Sequence, residues 1–129
     1  MTEELQNEPK TIGLSQETKA KLDRLKTDNH FSQMQDAYKF AVGLALASGA
    51  ISPPLKNTIT IFGSGDLDQD RSLYEVVKAL RTDKDEPVYK TIERLADWGV
   101  QELFAQTEAG SIHFSSILGA VAQAKERIV

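Results

Sequence analysis

Asp66, Asp68 and Asp70 hold the most chemical potential in this 129-residue chain, because carboxylates at alternate positions open a calcium-binding loop. The match ends there. The glycine and the closing glutamate that such a loop requires are replaced by Arg71 and Val77, so a flexible acidic loop, with Asp70 capping the next helix, is the expected structure. Gly63-Ser64-Gly65, just ahead, lacks the trailing Gly-Lys-Ser/Thr of a phosphate cradle. There is no cysteine and there are two histidines, His30 and His113, which excludes disulfides, thiolate catalysis and cysteine-ligated zinc. No metal and no cofactor are expected, and His30 reads as a turn residue. No nucleophile with a base and an orienting group stands out, and most carboxylates fall at helix starts or in loops, where capping explains them. The chain is therefore expected not to be an enzyme.

Charge narrows the remaining classes. The net charge is −4 and the pI about 5.2, whereas duplex binders usually carry a basic footprint. Residues 1–60 balance seven Lys/Arg against seven Asp/Glu, while residues 61–129 carry eight against twelve. Any DNA contact thus belongs to the first half. Lys10, Lys19, Arg24 and Lys26 are its candidate phosphate ligands, although Glu17 and Lys21 at i,i+4 spacing also describe an ordinary solvated helix face.

The elements that would position these residues lie between Lys10 and Gly49. Thr11-Ile12-Gly13-Leu14 alternates apolar residues as a short strand does, and Ser15 offers an N-cap hydroxyl to a helix from Gln16 to about Lys26 that buries Leu22 and Leu25. Asp28-Asn29-His30 is a connector. Ser32-x-x-Gln35 is a capping box for a second helix, Gln33 to Ser48, whose free N–H groups at Ser32 and Gln33 suit an anion, and Gly49 stops it. Met34, Ala37, Tyr38, Ala41, Val42, Ala45 and Leu46, with Phe40, Leu44 and Ala47, make that helix apolar over most of its circumference, which requires burial on more than one side. The small residues Ala41, Gly43, Ala45 and Ala47 permit a close helix approach. A dimer or higher homo-oligomer with this helix in its core is the expectation.

This strand-helix-helix order over residues 10–49 resembles the ribbon-helix-helix family of small DNA-binding proteins and, more loosely, the small helical subunit of bacterial DNA sulfur-modification systems. In ribbon-helix-helix proteins two copies pair their strands antiparallel across a dimer and lay one face in the major groove. The resemblance implies DNA contact from Lys10, Thr11, Gly13, Lys19, Arg24, Lys26, Ser32 and Gln33, and an oligomer interface of Ile12, Leu14, Phe40, Ala41, Leu44 and Ala45. It implies an accessory or regulatory role in a bacterial DNA-processing or defence complex. The strand itself holds one charge, Lys10, and none of the Arg, Asn and Gln side chains that discriminate base edges. The rival reading is a protein–protein scaffold or adaptor subunit, with a partner protein and no DNA contact, which the acidic second half favours.

The rest of the chain completes a mainly α fold, with a short N-terminal strand, about five helices and a helical C-terminal half. Residues 1–9 read as a mobile arm, 10–49 as the strand-helix-helix module, 50–70 as a connector and 71–129 as a three-helix region. Prolines 53 and 54 exclude a helix from the connector, and Thr58 to Phe62 reads as a short strand. A helix over Arg71–Leu80 places Leu73, Val76, Val77 and Leu80 on one stripe. Pro87 starts a longer one with Val88, Ile92, Leu95, Gly99 and Leu103 recurring every three to four residues, and Trp98 and Phe104 as core. A last helix from about Phe114 to Ile128 buries Ile117, Leu118, Val121 and Ile128. The polar, acidic start and the lack of a long apolar run place the chain in the cytoplasm, with no membrane contact.

Overall fold

The computed structural model describes residues 8–27, 31, 33–80 and 86–108. The expected last helix, His30, Ser32, His113 and residues 1–7 of the arm lie outside them. Among the described residues the elements run β1 (Thr11–Ser15), α1 (Gln16–Thr27), α2 (Met34–Ser48), β2 (Thr58–Gly63), α3 (Ser64–Leu67), α4 (Ser72–Leu80) and α5 (Val88–Glu108). The fold is mainly helical with one short sheet, as the sequence pattern predicts. No described helix is long and apolar enough to cross a membrane.

Local signals account for the helix ends. The Ser15 hydroxyl accepts the Thr18 N–H at 3.4 Å, the N-cap bond expected of it. Gly49 takes the left-handed conformation (φ 66°) and returns its N–H to the end of α2, a stop that costs glycine nothing. The start of α2 differs from the capping box: Gln33 stands at the N-cap in an extended conformation and makes no side-chain cap bond. The stretch 63–70, expected as a flexible acidic loop within the connector 50–70, holds regular structure instead: β2 runs on to Gly63 and α3 follows at once. On α4 the buried residues are Tyr74 and Val77, while Leu80 at the end of the expected stripe is 37% exposed.

One core joins both halves of the chain. It takes Ile12 and Leu14 from β1, Leu22 and Leu25 from α1, and Ala37, Tyr38, Ala41, Val42, Leu44 and Ala45 from α2. Facing these are Val88, Tyr89, Ile92, Leu95, Ala96, Val100 and Leu103 of α5, with Leu67, Tyr74 and Val77 beside them. Trp98 packs against this core half-buried. The second side of α2, for which the sequence suggested a second copy, is covered by α5 of the same chain. Their crossing is tight at Gly99, where a Cβ would stand 2.0 Å from the Ala41 carbonyl oxygen.

Candidate functional site

β1 is enclosed along both edges. On one side it pairs antiparallel with β2, Thr11 opposite Gly63 and Ser15 opposite Thr58, with an irregularity between Ile12 and Gly13. The resemblance implied that a second copy would supply this neighbour. Gly13 lies under the β2 backbone, and a Cβ there would meet the Ile59 carbonyl oxygen at 2.0 Å. On the other side α5 lays a polar row against the strand. Glu93 Oε2 accepts the Gly13 N–H at 2.7 Å, and Asp97 Oδ2 accepts the Ser15 N–H at 3.3 Å and the Ser15 hydroxyl at 2.9 Å. Tyr38 of α2 donates its hydroxyl to the Gly13 carbonyl at 3.0 Å. The outward N–H groups of Gly13 and Ser15 and the Gly13 carbonyl are thus met by side chains, as buried backbone groups must be.

The two carboxylates are deeply placed, Glu93 at 4% and Asp97 at 2% exposure. Burial of a charge is costly unless it is hydrogen-bonded, and both are. Asp97 Oδ1 also receives the Gln101 amide at 2.6 Å and the Ser52 hydroxyl at 3.2 Å. Glu93 Oε1 stands 3.3 Å from Lys90 Nζ. Burial, then the charges of Glu93 and Asp97, push the Tyr38 hydroxyl well above its ordinary range, so it remains a neutral donor. Ser52 is clamped from both ends, its N–H on the Arg94 carbonyl at 3.2 Å and its carbonyl on Arg94 Nε at 2.9 Å.

A second polar centre lies at the aspartate run. Asp68 turns inward and accepts the N–H groups of Leu73 and Tyr74 and the Tyr89 hydroxyl, each at 3.0 Å. It is therefore Asp68 that caps the first turn of α4, while Asp70 holds the Ser72 N–H and hydroxyl at 3.0 and 2.8 Å. Those two bonds to Ser72 lower the Asp70 pKa below its ordinary value. Arg71 follows with a left-handed backbone (φ 63°), the region a calcium loop reserves for glycine, yet its guanidinium donates to Tyr89 at 3.0 Å. Burial first, then the bond to Asp68 and its charge, push Tyr89 up to about 12. Among the described residues no cluster of His, Cys, Asp or Glu suits a metal ion.

Glu8 is the third buttress. Its oxygens accept the N–H groups of Val88 and Tyr89 at 2.8 Å each, so the end of the expected mobile arm caps the first turn of α5. The Pro9 carbonyl is held too, by the Ser64 hydroxyl at 3.0 Å.

Of the expected DNA-contact residues, Lys10, Thr11, Arg24, Lys26 and Gln33 are exposed, Lys19 is half-buried and Gly13 is buried. Lys10 and Thr11 are exposed at the start of β1, but Gly13 is buried beneath β2. Lys19 pairs with Asp23 at 2.8 Å, and Lys21 lies near Glu17 and over the Phe104 ring. Arg24 and Lys26 are exposed in the last turn of α1, where cations complement the helix dipole. Gln33 is exposed at the α2 N-cap. Of the expected interface residues, Ile12, Leu14, Ala41, Leu44 and Ala45 are buried within this chain, and Phe40 is half-buried beside Phe31.

Glu93 and Asp97 did not stand out in the sequence. The signal that finds them is the row Tyr89, Glu93, Asp97, Gln101, polar groups at i,i+4 steps along one side of α5. Comparison with protein-family models, with curated proteins and with solved structures finds no match to this chain.

Proposed function

We propose that this protein is a non-catalytic adaptor subunit that acts through protein–protein contact in the cytoplasm. The observation that carries this reading is the enclosure of β1. The strand that would enter a DNA groove in a ribbon-helix-helix protein has Ile12, Gly13 and Leu14 buried, with β2 paired along one edge and the carboxylates of Glu93 and Asp97 bonded to the other. A strand held along both edges in this way is closed to a DNA groove. The hydrogen-bonded carboxylates also bear on the question of catalysis. Asp68, Glu93, Asp97 and Glu8 each accept backbone N–H groups, a use that organises the fold.

A second reading keeps DNA as a partner, with the chain an oligomeric accessory subunit of a bacterial DNA-processing or defence complex. It draws on the exposure of Lys10, Arg24 and Lys26 in the electroneutral first half. Contact there would be to phosphates, without base readout.

Fluorescence anisotropy of labelled duplex DNA at low and moderate salt separates the two. The adaptor reading expects no saturable binding below about 10 μM protein at low salt, where non-specific binders already associate. Binding with a steep salt dependence, weakened together by Lys10→Ala, Arg24→Ala and Lys26→Ala, would overturn it in favour of the second.

A further inference from the structure

β1 is closed on both sides, and this directs attention to the other edge of the sheet. Antiparallel pairing settles which backbone groups of β2 face outward. Gly13 and Ser15 turn their N–H groups away from β2, toward Glu93 and Asp97, and their cross-strand partners are Thr60 and Thr58. Residues opposite one another in an antiparallel ladder point their backbone groups both into the gap or both away from it. Thr58 and Thr60 therefore present N–H and C=O groups to the outer edge. Thr58, Ile59 and Thr60 are all exposed, and Ile59 at 37% is one of three exposed large hydrophobic residues among the described residues. Proteins blunt open edges with charge or proline, and Thr58 to Gly63 contains neither.

We infer that this edge is a self-association site, where β2 adds antiparallel to β2 of a second copy. The strand is its own complement about a two-fold axis through Ile59. Thr58 then lies opposite Thr60 of the partner subunit and exchanges both backbone hydrogen bonds with it, and the same pair recurs across the axis. The two Ile59 side chains meet at the axis as a non-hydrogen-bonded pair, the closest cross-strand contact. A second copy fits better than a charged strand because it brings an apolar group opposite Ile59 and no charge to desolvate. The contact is small, so it is weak and concentration-dependent. It stands apart from the adaptor reading, since a subunit that pairs with itself is defined without any other partner.

Sedimentation equilibrium tests it. The mean mass of the full chain should rise from 14.3 kDa toward that of two chains between micromolar and millimolar concentration. Thr60→Pro deletes an outward N–H that β1 does not use, and should give a folded monomer across that range, whereas Thr60→Val, which keeps the N–H, should still associate. A wild type that remains monomeric throughout, or a folded Thr60→Pro that associates unchanged, would overturn the inference. If Thr60→Pro does not fold, amide exchange of the wild type decides. Protection at Thr58 and Thr60 that grows with concentration supports the pairing, and protection that does not change with concentration refutes it.

Discussion

Gly99→Ala is the sharpest test of the helix crossing that organises this fold. In an open helix position the substitution stabilises by about 1 kcal/mol, because glycine loses more backbone entropy than alanine. Here the added methyl would lie 2.0, 2.5 and 2.8 Å from the carbonyl oxygen, carbonyl carbon and Cα of Ala41. These are backbone atoms in the middle of α2, which cannot swing aside as a side-chain tip can. The two helices must part by more than an ångström, loosening Tyr38, Ala45, Ile92 and Leu103 around the crossing. Overpacking of this kind costs about 1–3 kcal/mol, and a backbone obstacle belongs at the upper end. After the gain in helix propensity a net loss of about 2 kcal/mol remains, equivalent to a fall in Tm of about 8 °C for a domain of this size. Thermal and urea unfolding followed by circular dichroism would measure it. An unchanged or raised Tm would refute the close crossing, and with it the account of why a glycine occupies the centre of α5.

Three further outcomes follow from the polar buttresses. Asp97→Ala leaves the Ser15 N–H, the Ser52 hydroxyl and the Gln101 amide without their shared acceptor and should cost about 2–4 kcal/mol in urea unfolding, with Asp97→Asn falling between it and wild type. Glu8→Ala removes the cap from α5 and should cost about 0.5–2 kcal/mol, read as a lower Tm at unchanged helical content. Tyr89, held at about 12 in the fold against about 10 unfolded, stabilises the protein fully below pH 10, and that contribution should fade as the pH rises through 12. Ultraviolet titration of tyrosinate should show Tyr89 ionising late, and its ionisation at an ordinary pH would contradict its bond to Asp68.

How much of this was readable in advance depended on the range of the interaction. Ser15 capping α1, Gly49 stopping α2, Pro87 opening α5 and the short strand at Thr58 are local: each follows from one residue's hydrogen-bonding group or torsional freedom acting on its near neighbours. The all-round apolar character of α2 was equally plain, and it dictated burial on more than one side. It did not name the cover. A second copy and a later helix satisfy the same hydrophobic pattern, and only the folded chain shows that α5 fills the place through Gly99 against Ala41. The cap on α4 shows the same limit at short range, because Asp68 and Asp70 are alike in type and spacing, and only the turn at Arg71 aims Asp68 inward.

The candidate site shows the division most clearly. The sequence by itself determined a mainly helical chain with a strand at each end of its first helical module, no thiol chemistry and an acidic second half, because these depend on composition and on periodicity within single elements. Tertiary structure alone decided that β1 pairs within the chain, that Glu8 reaches α5, and that Glu93 and Asp97 meet Gly13 and Ser15. Those bonds join residues some eighty positions apart. A carboxylate in the sequence has the same charge whether it is solvated, paired or bound to a strand edge, and its role is set by the donors that folding brings to it.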